Sequence, residues 1–155
     1  MSLEHELKTE RVSHLDLSGF SAVESGTPMT AVLDKLRADQ RHVALITGGG
    51  RLIGILTDRD IMRKVANHPT ALKSSVDAVM SRDPVTVHPE TSAADALRLM
   101  DEHHFRNLPV VDEHGAIKGV MTHQAIIDYL AARYPVEVLN RPMAPDRFPR
   151  KAEGG

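Results

Sequence analysis

Gly50-Arg51-Leu52-Ile53-Gly54-Ile55-Leu56-Thr57 and Gly115-Ala116-Ile117-Lys118-Gly119-Val120-Met121-Thr122 are two copies of one pattern. At an offset of 65 they share both glycines and the closing threonine, and a little further on Ile61 falls on Ile126. Upstream the match continues at an offset of 64, laying Val12–Leu36 on Val76–Met100, with Val23 on Val87, Thr27 on Thr91 and Leu33 on Leu97. Self-similarity of this kind marks a duplicated structural unit, so the chain reads first of all as a tandem repeat.

Each copy reads as the same order of elements. A short strand (Ser21 to Val23; Val85 to Val87) ends in a turn-rich stretch, Ser25-Gly26-Thr27-Pro28 or Pro89-Glu90-Thr91-Ser92. A helix follows: Ala93, Ala96, Leu97 and Met100 recur at spacings of three and four behind Thr91 or Ser92 as N-cap, and Met29, Val32, Leu33 and Leu36 do the same in the first copy. Two strands joined by a tight turn come next, Val43–Ile46 to Leu52–Leu56 and Leu108–Val111 to Ile117–Met121. A second helix closes each half, around Arg59–Ala66 and Gln124–Arg133. The expected fold is α/β of the α+β kind, β-α-β-β-α twice, with repeats at 12–67 and 76–135 and a linker at 68–75. A half of about 55 residues is marginal as a folding unit, so the two should share a core and pack as a pseudo-twofold pair. The polar segment 1–11 and the Pro- and Arg-rich tail 136–155 are expected to be mobile.

Composition narrows the functions. A formal charge of −2 and only two tyrosines and three phenylalanines leave neither a cationic field nor stacking platforms for nucleic acid. With no cysteine, thiolate metal sites and cysteine nucleophiles are excluded. No secretory or membrane-spanning stretch is visible, which makes the cytoplasm the default location and gives no membrane partner. Gly48-Gly49-Gly50 is a hairpin turn rather than a phosphate cradle: a strand follows it instead of a helix, and the second copy has Asp112-Glu113-His114-Gly115 there. His103 and His104 are adjacent and diverge on a helix, and there is no Gly-x-Ser-x-Gly elbow. No catalytic residues and no metal ligands are assigned, and the chain is not expected to be an enzyme.

Gly54-Ile55-Leu56-Thr57-Asp58-Arg59-Asp60-Ile61 resembles the signature that closes a cystathionine-β-synthase (CBS) type repeat, in which a strand ends in threonine and a helix carries an aspartate three positions later. The resemblance extends from Val12 to Arg133 through the duplication and the element order. It implies a paired module, a Bateman module, with clefts between the halves for adenosine-containing ligands, and often a dimer. Asp60 suits the two adjacent ribose hydroxyls, which a carboxylate accepts together as charge-assisted hydrogen bonds. Thr57 adds a hydroxyl, and Arg59 and Arg63 are candidates for phosphates. Thr57-x-x-Asp60 is equally the pattern of a helix capping box, and the two roles are compatible.

The second copy has Ala125 where the first has Asp60, so one fully equipped site per chain is expected. By the same resemblance that site is completed by Asp83, Pro84 and Val85 from the opening of the second repeat and by Arg106 and Asn107 before its middle strand; the bland alternatives are core packing for Pro84 and Val85 and a solvated charge for Arg106. The implied function is regulatory: an adenine nucleotide (AMP, ADP or ATP, with S-adenosylmethionine or NAD left open) acts as ligand rather than obligatory cofactor. Its binding changes the surface shown to a downstream protein partner. The alternative is a constitutive dimerisation or scaffold module with vestigial clefts. Met62 and Val65 beside Ile61, and Ile127 beside Ile126 and Leu130, exceed what one sheet-facing stripe requires and point to a homodimer.

Overall fold

The computed structural model describes residues 3–133. After helix α1 (Leu3–Thr9) and a 3-10 turn at Val12–His14, the first repeat runs β1 (Ser21–Glu24), α2 (Met29–Asp39), β2 (Val43–Gly48), β3 (Arg51–Thr57) and α3 (Asp58–Lys64). Further 3-10 turns at Pro69–Lys73 and Val76–Ala78 lead into β4 (Ser81–Arg82), α4 (Ala93–His103), β5 (Asn107–Val111), β6 (Ile117–Thr122) and α5 (His123–Arg133). The duplication extends to the backbone. Helices α2 and α4 both end on a left-handed residue, Gln40 at φ 57° and His104 at φ 58°, whose N–H turns back to the last carbonyls of its helix. In the β2–β3 hairpin Gly49 and Gly50 both have positive φ, as a tight two-residue turn requires.

Each repeat lends its opening segment to the other. β1 and β2 pair in parallel and β2 and β3 antiparallel, but the fourth strand of that sheet is β4, from the second repeat, with Ser81 opposite Ile55 and Arg82 opposite Gly54. Reciprocally, the N–H of Val120 on β6 donates to the carbonyl of Leu17 at 2.9 Å. The cores follow the same exchange. Val23, Met29, Val32, Leu36, Ala44, Ile46 and Leu56 of the first repeat enclose Val76, Val79 and Met80. Val87, Ala96, Met100, Leu108, Val110, Met121 and Ile126 of the second enclose Val12 and Leu15. A third cluster, Val43, Leu45, Ile55 and Val120, joins the two sheets face to face. Strand β2 is buried on both sides as a result, with Ala44 and Ile46 in the first core and Val43 and Leu45 in the third. A polar clamp holds the second opening segment in place. Asp77 accepts from Ser25 Oγ at 2.5 Å and from the Gly26 N–H at 3.0 Å, which hold its carboxyl below the usual range.

Two expectations are revised. The strand expected at Val85–Val87 contracts to one parallel bridge, Val87 with Val110, made by the Val87 N–H on Pro109 and the Val111 N–H on Val87, both at 3.0 Å. The next parallel bonds on either side would need the N–H of Pro109 or of Pro89, and proline has none. The N-terminal segment, expected to be mobile, contains α1, which packs on α4 with Leu7 buried. Few apolar residues mark it in the sequence because polar partners far along the chain hold it. Tyr129 Oη donates to Glu10 at 2.8 Å, Arg133 reaches Glu6 at 3.2 Å, and the Ala93 N–H donates to the Glu10 carbonyl. Burial and the Glu10 carboxylate push the Tyr129 phenol up to about 12. The tail at 136–155 lies outside the described residues.

The repeated glycines mark the crossing points of the exchange. A Cβ on Gly54 would lie 2.4 Å from Met80 Sδ, whereas on Gly119, at φ +147°, it would lie 2.4 Å from both Cβ and the carbonyl oxygen of Leu17. Gly54→Ala meets a flexible side chain and is expected to cost about 1 to 3 kcal/mol, the usual range for overpacking. Gly119→Ala meets main chain at a backbone angle unfavourable to alanine and is expected to cost more. Urea denaturation of the two variants beside the parent measures the difference, and equal stabilities would refute the account.

Candidate functional site

Where the halves meet, a cleft of about 1000 Å³ opens between the β3–α3 junction on one side and the β6–α5 junction on the other. Thr57, Arg59 and Asp60 line it from the first repeat; Asp83, Pro84, Val85, Arg106 and Asn107 line it from the second. Of the site residues expected from the sequence only Arg63 is absent from the lining; it sits one turn beyond Arg59 on α3, exposed to solvent. Asp83, at φ 49°, makes the sharp left-handed turn after β4 that precedes Pro84 and Val85. The guanidiniums of Arg59 and Arg106 make no ion pair or hydrogen bond among the described residues.

Asp60 is the most committed group in the cleft. It is 7 % exposed, and its Oδ2 accepts the Thr57 N–H at 3.0 Å, closing a capping box, with the Thr57 hydroxyl 3.3 Å away. Its Oδ1 accepts from Ser81 Oγ at 3.0 Å and lies 3.6 Å from Lys64 Nζ, which also donates to the Val79 carbonyl at 2.9 Å. One carboxylate thus caps α3, answers a cation one turn on, and ties the first repeat to β4 of the second. The capping reading of Thr57-x-x-Asp60 holds, and the same side chain lines the cleft.

The opposite side of the cleft has a different chemistry. Thr122 accepts the Ala125 N–H at 2.9 Å, the half of a capping box that survives without a carboxylate. Ala125 cannot answer with an acceptor. Asp128, at the place that repeats Arg63, carries the nearby acid instead and accepts from Gln124 at 2.9 Å. The two junctions are therefore related in backbone and inequivalent in charge.

Ser81 and Lys64 were not singled out in the sequence. Lys64 stands four residues after Asp60, a spacing that by itself signals a helical ion pair. Ser81 has no such signal, because its counterpart in the other repeat is Leu17 and no periodicity announces a hydroxyl. Among the described residues no group of three or more acids or histidines is placed to hold a metal ion, and no helix is long and apolar enough to cross a membrane.

A duplicated β-α-β-β-α unit with exchanged opening segments and a cleft between its halves defines a paired-repeat module. The CBS domain family model matches residues 13–67 and again 76–132, and the chain belongs to that family, carrying the domain twice. Homoserine O-acetyltransferase of Methanohalophilus mahii is 36 % identical over 85 residues, 55 % of this chain and 17 % of that protein. The chain spans between about a sixth and a third of the first curated relatives it matches. Its fold matches the CBS domain pair of protein MJ0100, solved with 5′-methylthioadenosine and S-adenosyl-L-methionine (TM-score 0.70, 20 % identity, 80 % of this chain and 98 % of that one). It also matches CBSX2 in complex with AMP (0.70, 23 %, 80 % and 98 %) and the cytosolic domain of the Mg2+ channel MgtE in complex with ATP (0.66, 27 %, 82 % and 51 %).

The bonds of Asp60 set a stability test that needs no ligand. Asp60→Ala removes the carboxylate half of the capping box, leaves Ser81 without its acceptor and Lys64 with only the Val79 carbonyl, and should cost about 1 to 2 kcal/mol. Ser81→Ala removes one neutral donor and should cost under about 1 kcal/mol. Urea midpoints that rank the two variants the other way round would show that the cap contributes little.

Proposed function

We propose that this CBS pair is a regulatory rather than catalytic module, acting in the cytoplasm, that binds one adenine nucleotide (AMP, ADP or ATP) in the cleft and passes the event to a protein partner. The observation that carries the reading is the meeting, across one cleft, of Thr57, Arg59 and Asp60 from the first repeat with Asp83, Pro84, Val85, Arg106 and Asn107 from the second. Asp60 accepts the ribose hydroxyls, Arg59 and Arg106 meet phosphate, and the Asp83–Val85 segment covers the nucleoside with backbone and apolar side chains. The complexes formed by MgtE, CBSX2 and MJ0100 support an adenosine-containing ligand for such a cleft.

The ligand has a competitor built into the protein. Ser81 already occupies Oδ1 of Asp60 at 3.0 Å. A ribose that takes both carboxylate oxygens competes with that hydroxyl for Oδ1, and weakening a bond between the halves is the differential interaction a conformational signal requires. With Ala125 opposite, calorimetry should give one strong site per chain; two equal sites, or none for AMP, ADP, ATP, S-adenosylmethionine and NAD alike, would overturn the assignment. Asp60→Asn should weaken binding about tenfold to a hundredfold, the cost of a charge-assisted hydrogen bond of roughly 1.5 to 3 kcal/mol. Arg63→Ala, outside the lining, should leave affinity within about twofold. Retained affinity in a folded Asp60→Asn protein would reduce Thr57-x-x-Asp60 to a cap.

A second observation favours self-association. Met62 on α3 and Ile127 on α5 are 64 % and 56 % exposed and occupy repeated positions at the offset of 65. Two large apolar side chains in solvent at corresponding points of the two closing helices suit a homodimer interface. The constitutive dimerisation reading rests on the same pair. Light scattering at micromolar concentration should give a dimer, and Met62→Glu combined with Ile127→Glu should give a monomer. A parent that is monomeric would remove both the dimer and the scaffold reading.

A further inference from the structure

Beside the cleft lies a second cavity, a groove of about 1050 Å³ that runs between α1 and α4 and on to the residues that enter β5 and α5. Leu7, Leu97, Met100 and Phe105 give it apolar walls. Among the described residues its charge is one-sided, with Lys8, Arg59, Arg98 and Arg106 against Asp101 alone. A trough of this kind suits an extended segment that is mostly apolar and carries an acid.

The chain itself delivers such a segment to the edge of the groove. Helix α5 ends at Arg133, which reaches Glu6 at 3.2 Å, and Glu6 directly precedes the groove residue Leu7. The next six residues are Tyr134-Pro135-Val136-Glu137-Val138-Leu139, five apolar or aromatic side chains and one acid, with no base. Beyond them the stretch from Arg141 to Lys151 carries four cations against Asp146, the wrong sign for this groove. Reach is sufficient. His123, at the start of α5, also lines the groove and lies about 15 Å from Arg133 along the helix, whereas six extended residues span up to about 20 Å. We propose that residues 134–139 are the occupant of the groove, an intramolecular strap that lays apolar side chains over Leu7, Leu97 and Phe105 and sets Glu137 among the arginines. Because the strap is tethered at Arg133, modest contacts suffice to keep it seated.

The chain has no cysteine, so a pair of cysteines introduced into the full chain, one in the groove and one in the strap, reports on their contact alone. Ala94→Cys, on the groove wall, is combined in turn with Val136→Cys, Val138→Cys and Asn140→Cys. Each double variant is equilibrated in a glutathione redox buffer, which reads the effective concentration of one thiol at the other. At least one pair should form an intrachain disulfide with an effective concentration about tenfold or more above the roughly millimolar value of an unrestrained tether. Adding Glu137→Lys to that pair should return it to the tether value, and Phe148→Cys, in the basic stretch, should stay there throughout. Three pairs at the tether value, or an excess that Glu137→Lys leaves unchanged, overturns the proposal. A disulfide that joins two chains overturns it as well, since a second copy would then be the occupant. If reduced Ala94→Cys does not unfold at the parent's temperature, Arg98→Cys on the exposed rim of the groove carries the same comparison.

Discussion

The reciprocal loan of opening segments is the constraint on which the rest of this molecule depends. A half of about 55 residues has too little interior to be stable alone. Here each half gains an interior by enclosing three or two apolar side chains that belong to the other: Val76, Val79 and Met80 in one direction, Val12 and Leu15 in the reverse. The loan is enforced by hydrogen bonds that complete a sheet edge, β4 on β3 and Leu17 on β6. It also explains why glycine appears twice at the same point of the pattern, since any side chain at 54 or 119 would stand where the borrowed segment passes.

The cleft is a by-product of that exchange. Because β4 lies against β3, the turn at Asp83 and the residues after it come beside the start of α3, and groups from both repeats face one cavity. Asp60 takes part in both halves of the arrangement, capping its own helix and holding Ser81 of the borrowed strand. Its environment mixes a cation, two hydroxyls and a backbone donor, so the carboxylate is well satisfied while nearly buried, as a buried charge has to be. In the other repeat alanine relieves the chain of that requirement, and the cap there is made by Thr122 alone.

The fold was legible because it is written twice. The offset between Gly54 and Gly119, and between Leu33 and Leu97, carried the order of helices and hairpins in both halves without any long-range information. Thr57 was legible for the same reason, since Thr122 repeats it, whereas Asp60, which Ala125 does not repeat, was legible only as the last member of Thr57-x-x-Asp60. What the sequence left out is what duplication does not repeat. The bridge at Val87 is short because two prolines withhold donors from a ladder whose register is set by tertiary packing. Leu7, Glu6 and Glu10 hold α1 through partners more than eighty residues away. Arg63 shares a helix flank with Arg59 by spacing, yet the cleft ends before it.

The same loan makes synthesis on the ribosome unequal for the two repeats. The first repeat leaves the exit tunnel with its core still missing Val76, Val79 and Met80, and stays open until the chain has grown past β4. The second emerges when Val12, Leu15 and Leu17 have been waiting for most of the length of the chain, and its core is complete once α5 has brought in Ile126. Closing the Leu17 to Val120 contact spans about a hundred residues, an entropic cost met late and only once. Until β4 is out, the edge of β3 and the apolar face meant for Val76, Val79 and Met80 are uncovered, which is the interval in which a nascent chain of this kind is open to chaperones or to pairing with its neighbour on the same message.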